Sequence, residues 1–217
     1  LRINKFEQSE ALFSELKEQI DQHGYDSMSA VVERSFGLFA RLKQQLEKSQ
    51  QHYQCALHHA QQHNQVYVEI SIYFSMTAVA DQLGRHDESA EYLQKAYEIL
   101  KEYPDPTLEG YYHSHFSNVY HAEGRWSEAL AGRLKMVEIG SRQRSPLLEY
   151  QAIGRLYWQS GRYELAKEYL ERVDTTDRND VYIPGTHWHA TWLIDFANLY
   201  IAWQRPKQVL FYSQLAK

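Results

Sequence analysis

Three similar stretches decide the fold: GRHDESAEYLQKAYEIL (Gly84–Leu100), GRWSEALAGRLKMVEIG (Gly124–Gly140) and GRYELAKEYLERV (Gly161–Val173). A fourth, QRPKQVLFYSQLA, begins at Gln204, and a fainter fifth, QQLEKSQQHYQCALHHA, begins at Gln44. The first residue of each stretch is called its anchor, and successive anchors are 40, 40, 37 and 43 residues apart. A recurrence at this period is typical of repeat architectures.

The residues that precede each anchor also recur. Apolar residues stand eight and four positions before it, which is one turn apart on one face of a helix. The positions are Phe36 and Ala40, Met76 and Ala80, Phe116 and Tyr120, Ile153 and Tyr157, and Phe196 and Tyr200. A small residue stands seven before the anchor, where it lets a second helix approach closely: Gly37, Thr77, Ser117, Gly154 and Ala197.

The anchors mark the turn between two helices. Glycine supplies the left-handed conformation that ends the first helix. Asp87 and Ser127 stand where we expect the N-cap of the second helix, and Pro206 stands at the start of the last one. The sequence therefore predicts a helix over 6–22, followed by pairs over 30–43 and 46–62, 67–83 and 87–101, 108–122 and 127–140, 146–159 and 163–173, and 187–203 and 207–216.

The first and the longest connections are the least regular parts of this pattern. Since Gln44 replaces the turn glycine, residues 31–63 could form a helix pair or one long helix, and the sequence leaves both open. The longest predicted connection within the array is Asp174–Thr186, which contains Pro184-Gly185.

The unit resembles a tetratricopeptide repeat, with helix, glycine-centred turn and helix. The resemblance implies an all-α, right-handed α-solenoid over 29–217, made of about five helix pairs, with residues 1–28 as an N-terminal capping helix. Units near 40 residues are similar to the long-helix repeats of bacterial signalling proteins, such as peptide-sensing quorum regulators. Because the sequence begins without Met and stops within a predicted helix, we expect it to be part of a longer protein.

Composition narrows the range of partners. The net charge of −5 and pI of about 6.1 argue against a nucleic-acid partner, which would favour a basic face. No apolar run approaches the ~20 residues that cross a bilayer, so we expect no membrane partner. The single cysteine, Cys55, suits a reducing compartment, and we expect a cytoplasmic protein.

The sequence has no recognisable catalytic or metal motif. HExxH, a phosphate-binding glycine loop and a nucleophile elbow are all missing. The eleven histidines have no metal-ligand spacing, and one cysteine cannot build a thiolate site. We therefore expect no enzyme activity, no cofactor and no metal.

The resemblance places the ligand on the first helix of each pair, at residues ten, six and three before the anchor. The predicted groove residues are Phe74, Ser114, Asn118, His121, Gln151, Arg155, Trp158 and Asn198. Asn118 and Asn198 stand where groove asparagines of the family hold a ligand backbone, since an amide offers both a donor and an acceptor. Arg155 and Trp158 are three apart on one face, suited to a carboxylate and an apolar side chain.

These features predict a non-catalytic regulatory module that binds a peptide or protein segment, as the sensor arm of a bacterial signalling protein. The alternative is a structural or oligomerisation scaffold that positions other domains. We also expect a homodimer or an end-to-end contact at high concentration, because the last helix carries the apolar residues Val209, Leu210 and Phe211.

Overall fold

The computed structural model describes residues 2–140, 146–175 and 187–215, and within them it contains eleven α-helices, one 3₁₀ turn and no strand. The helices are α1 (Arg2–His23), α2 (Ser29–Leu42), α3 (Leu46–Gln62), α4 (Val66–Gln82), α5 (His86–Glu102), α6 (Pro106–Ala122), α7 (Trp126–Ile139), α8 (Pro146–Gln159), α9 (Tyr163–Thr175), α10 (His187–Ala202) and α11 (Pro206–Leu215). The predicted all-α, helix-turn-helix organisation is confirmed, and most of Asp174–Thr186 lies outside the described residues.

Each pair turns at its anchor through a left-handed residue. Gly84, Gly124 and Gly161 have φ of 71°, 73° and 78°. The residue after each anchor donates its N–H to the carbonyl four before the anchor, for example Arg85 to Ala80 at 2.9 Å. This six-to-one bond closes the end of the helix and satisfies a carbonyl that would otherwise lack a partner.

The first repeat is a helix pair and not one long helix. Gln44 adopts φ of 60° without being glycine, and Gln45 donates to the carbonyl of Ala40 at 2.9 Å. Gln204 at the last anchor does the same with φ of 57°. Asn64 closes α3 in the same way with φ of 52°, and asparagine tolerates this conformation better than most residues.

The predicted N-caps were wrong by two residues. Arg85 and Arg125 occupy the N-cap positions of α5 and α7, and neither makes a side-chain cap hydrogen bond. The second helix begins two residues after the left-handed anchor, at His86 in α5 and Trp126 in α7, so Asp87 and Ser127 already lie inside the first turn. The negative charge of Asp87 in this first turn interacts favourably with the positive end of the helix dipole.

Small residues seven before the anchor bring the two helices of a pair together. A Cβ built on Gly154 would lie 2.7 Å from Cγ of Leu170 on α9. Ser49 on α3 donates its hydroxyl to the carbonyl of Gly37 on α2 at 2.7 Å. The helix contact depends on this residue being small.

The chain forms two compact units, residues 1–115 and 116–217, whose boundary falls within α6. In the first unit, Tyr53, Ile70 and Ile72 are fully buried. In the second, the core includes Ile153, Leu170, Phe196 and Leu199. The division into a cap over 1–28 and an array over 29–217 stays a prediction.

Candidate binding groove and polar pocket

A cavity of about 160 Å³, here called the polar pocket, lies among α6, α7 and α8 in the second unit. Its lining residues are Ser117, Asn118, His121, Arg133, Ala152, Arg155, Leu156 and Gln159. Three of them, Asn118, His121 and Arg155, are predicted groove residues. The first helices of two successive pairs therefore place predicted ligand contacts around one opening.

Arg133 on α7 forms one side of the polar pocket and is held by a buried carboxylate. Its Nη1 donates to Oε2 of Glu149 at 2.9 Å, and its Nη2 donates to Oδ1 of Asn118 at 2.5 Å. The side chains of Arg133 and Glu149 are 14% and 7% exposed. The guanidinium of Arg133 thus connects the buried carboxylate of Glu149 to the side-chain amide of Asn118, a predicted groove residue.

Arg155 on α8 is held from the other side by Asp195 of α10. Its Nε and Nη2 donate to the two oxygens of Asp195 at 3.1 and 2.7 Å, a bidentate pair. Gln151 also donates to Asp195, at 2.5 Å. Asp195 is only 4% exposed, whereas the side chain of Arg155 is 44% exposed, so the charge of Arg155 is already matched beneath the surface.

His121 and Gln159 form the third contact of the polar pocket. Nε2 of His121 lies 2.9 Å from Oε1 of Gln159. Since an amide oxygen accepts hydrogen bonds, the histidine donates here. The His121 ring also meets Trp126 edge to face, with centroids 5.1 Å apart, which fixes its orientation.

The other predicted groove residues have varied surroundings. Gln151 and Phe74 are buried, at 4% and 5% exposed. Phe74 stacks on His115 with ring centroids 5.2 Å apart, within the first unit, where half-buried Ser114 also lies. At the position ten before the anchor, Gln151 and Phe74 therefore point to the next pair, because each contacts the first helix of that pair.

Trp158 and Asn198 lie outside the lining of the polar pocket. Trp158 is half-buried and packs against the core of the second unit, and its Nε1 has no hydrogen-bond partner among the described residues. Asn198 is half-buried on α10. The structure does not bring all eight residues to one site.

Sequence reasoning missed Arg133, Glu149 and Asp195, although the repeat alignment carries a signal for the first two. At the position nine after the anchor, the first, second and fourth pairs have Tyr53, Leu93 and Leu170, whereas the third pair has Arg133. Charge at a position that is otherwise apolar marks a functional or strained site.

An apolar hollow of about 630 Å³ lies on α10 and α11. It is lined by Tyr200, Ile201, Gln204, Arg205, Pro206, Val209, Leu210 and Ser213. Ile201 and Leu210 are 59% and 61% exposed. Exposed apolar residues in one place mark interaction surfaces.

None of the described helices combines the length and apolar character that crossing a bilayer requires. Over the same residues, no group of three or more His, Cys, Asp or Glu side chains is arranged to hold a metal ion.

Fold and repeat geometry define the class as an array of paired α-helices. The family model of the tetratricopeptide repeat matches residues 71–100 and 150–180, which include most of α4 with α5 and of α8 with α9. The predicted resemblance to the tetratricopeptide repeat family is thereby confirmed. No curated protein matches the chain by sequence.

Solved structures share the fold at low sequence identity. BtubC (BKLC) from P. vanneervenii is 16% identical over 97% of this chain and 89% of its own, with a TM-score of 0.77. A STAND protein with a tetratricopeptide repeat sensor from Pyrococcus horikoshii is 17% identical over 95% of this chain and 34% of its own, with a TM-score of 0.75. The apo quorum sensor NprR from B. thuringiensis is 14% identical over 94% of this chain and 59% of its own, with a TM-score of 0.67. These likenesses show an all-α solenoid of helix-turn-helix repeats.

Proposed function

We propose that this chain is a non-catalytic regulatory module that binds a peptide or protein segment through the polar pocket. The observation that carries the proposal is the convergence of Asn118, His121 and Arg155 on one opening. A few hydrogen-bonding side chains held in fixed orientations around a cavity orient a ligand and give a site its specificity. Asn198, six before its anchor like Asn118 and Arg155, would extend the contact along α10.

Two of the similar structures are of proteins that are sensors or contain one. One is the tetratricopeptide repeat sensor of the STAND protein, and the other is the quorum sensor NprR. This supports a sensor role for the present chain. The finer proposal is that it is the sensor arm of a bacterial cytoplasmic signalling protein. In such a role, the bound segment would carry the signal and the array would pass it to other parts of the protein.

The test selects ligands from a random-sequence peptide display library with the whole chain as bait. Affinities of the selected peptides are then measured by fluorescence polarisation. Asn118→Ala should weaken binding at least about tenfold, the equivalent of about 1.4 kcal/mol. The matched control is Gln54→Ala, which removes an exposed amide on α3. Unchanged affinity in Asn118→Ala, or an equal loss in both variants, would contradict the proposal.

Trp158→Ala is a poor probe of the groove, although the sequence alone suggests it. Trp158 packs against the core of the second unit. Its truncation would lower stability, since removing an aromatic ring that packs against a core leaves a space that the neighbouring side chains fill only in part. Asn118 is exposed, so its replacement tests binding with little effect on the core.

A second function, self-association as a scaffold, is favoured by the apolar hollow. Ile201, Leu210 and Phe211 are all more than half exposed. We expect a homodimer through this surface, visible by sedimentation equilibrium as a mass above the 25.7 kDa of one chain. Leu210→Glu should shift the protein to monomer, and Glu138→Ala, on exposed α7 surface, should not. A wild-type monomer at every concentration would contradict this role.

A further inference from the structure

Arg133 and Glu149 stand at two repeat positions that are apolar at the three other junctions between successive pairs. Where the third pair meets the fourth, Arg133, nine after its anchor, binds Glu149, twelve before the following anchor. The equivalent pairs are Tyr53 with Ile72, Leu93 with Tyr112, and Leu170 with Trp192, all buried. The contact is direct in the last of these, where Nε1 of Trp192 donates to the carbonyl of Leu170 at 2.9 Å.

The ion pair is not explained by stability. The cost of removing two charges from water can exceed their attraction, and well-packed apolar residues often stabilise such a position at least as well. The chain itself shows that apolar pairs fit here, since three of these four junctions contain them. Arg133 and Glu149 therefore need a role other than holding α7 to α8.

The hydrogen bonds of Arg133 indicate that role. With Nη1 held by Glu149, its Nη2 donates to Oδ1 of Asn118. An amide whose oxygen is engaged in this way offers a ligand its NH₂ group, a donor. The amide of Gln159 likewise has its oxygen engaged, because Oε1 accepts a hydrogen bond from His121. Both amides of the polar pocket have their acceptors engaged by neighbouring side chains.

We propose that Arg133, fixed by Glu149, is a positioning residue that determines specificity: it orients Asn118 so that the polar pocket presents donors and selects a carboxylate of the bound segment. This deepens the proposed function and rests on it. Arg133 and Arg155 each face a buried acid, Glu149 and Asp195, so their charges are matched. The polar pocket therefore suits one carboxylate better than a doubly charged phosphate.

The test uses two small probes of the same shape, N-acetylglycinate and N-acetylglycinamide, titrated into the whole chain. The side-chain NH₂ signals of Asn118 and Gln159 are followed by NMR and assigned by their loss in the alanine variants. We expect the carboxylate to shift both signals saturably and to bind about tenfold tighter than the amide, whose own NH₂ would meet donors. Equal binding of the two probes would overturn the inference.

Variants separate orientation from charge. Arg133→Lys keeps the positive charge but loses the planar fork that reaches Glu149 and Asn118 together. The preference for the carboxylate should then fall to about twofold or less, and it should fall equally in the double variant R133L/E149Y, which copies Leu93 and Tyr112. Circular dichroism checks that each variant folds. A tenfold preference that persists in folded Arg133→Lys would overturn the positioning role.

The outcome is distinguishable from failure of the proposed function. If the probes do not discriminate but Asn118→Ala still weakens selected peptides, the groove binds and the inference about Arg133 is wrong. If the carboxylate probe binds as expected but Asn118→Ala leaves peptide affinity unchanged, the polar pocket has the inferred chemistry and the proposed function is wrong.

Discussion

Tyr53 of α3 lies against the backbone of Gly37 on α2. A Cβ placed on Gly37 would stand 2.5 Å from Cε1 of the Tyr53 ring, closer than carbon atoms pack. The first pair thus gains its close helix contact from the missing side chain at Gly37. The same relationship recurs between Gly154 and Leu170 in the fourth pair.

Gly37→Ala should destabilise the protein, although alanine is the better helix former. The propensity gain of about 1 kcal/mol is smaller than the cost of overpacking at 2.5 Å, so we expect a net loss of about 1–2 kcal/mol by urea denaturation. In a Tyr53→Ala background the clash is removed, and the same glycine replacement should become neutral or stabilising. A loss of the same size in both backgrounds would show that the ring contact is not the cause.

Gln44→Gly should stabilise the protein. Gln44 has φ of 60°, a conformation that costs most side chains about 1 kcal/mol and costs glycine nothing. We therefore expect a gain of about 0.5–1 kcal/mol by thermal or urea unfolding. Gln45→Gly is the matched control: Gln45 has φ of −89°, so glycine there should give no gain. Equal effects at both positions would contradict this account of the turn.

The fold was largely predictable because each turn is a local event. A left-handed residue, a small residue seven before it and an apolar stripe lie within a few helical turns of each other, and the predicted bounds of the paired helices fall within two residues of those observed. Gln44 hid the first turn, because glutamine has no preference for positive φ. Asn64 at a regular spacing of 20 from Gln44 and Gly84 was a usable signal.

The candidate site was less predictable because its contacts cross between pairs. Helical spacing places Gln151 and Arg155 on one face, but not the Asp195 that binds both of them from α10. Nor does first-helix spacing include Arg133, which reaches Asn118 from the second helix of its pair. Such partners depend on how successive pairs pack, which a single helix pattern does not contain.

Glu33 should make stability fall at acid pH. Burial raises the pKa of this carboxyl, but hydrogen bonds from Lys17 and His52 outweigh it and hold the pKa below its ordinary value of 4.5. The stabilisation is therefore complete above pH 4.5 and is lost as the pH falls through the lower, folded-state pKa.

Urea unfolding of wild type and Glu33→Gln checks this expectation. The gap in free energy between the two proteins should be widest near neutral pH and should shrink below pH 4.5. Glu128→Gln is the control, since Glu128 also has a lowered pKa, through a hydrogen bond from Arg125, but is solvent-accessible. A gap for Glu33→Gln that stays constant with pH would mean that Glu33 does not contribute through its charge.

Asp195→Asn should make the polar pocket more attractive to acids. Asp195 matches the charge of Arg155, and asparagine keeps the size of the side chain and an acceptor oxygen. N-acetylglycinate should then bind several-fold tighter, on the order of 1 kcal/mol, and the gain should fade at high salt. Asp87→Asn, on exposed α5 surface, should change nothing. A gain that is independent of salt would contradict an electrostatic cause.

The stability of the Arg133 and Glu149 variants should separate their two possible roles. Arg133→Leu leaves Glu149, 5% exposed, without its cation, and we expect a loss of about 3–5 kcal/mol. The double variant R133L/E149Y restores an apolar pair like Leu93 with Tyr112, and it should equal or exceed the wild type, by up to about 4 kcal/mol. Urea denaturation of the four proteins in this cycle measures both effects and their coupling. If the double variant is as unstable as Arg133→Leu, the ion pair holds α7 to α8. A stable double variant that no longer distinguishes N-acetylglycinate from its amide would instead show that the chain keeps a costly buried pair for recognition.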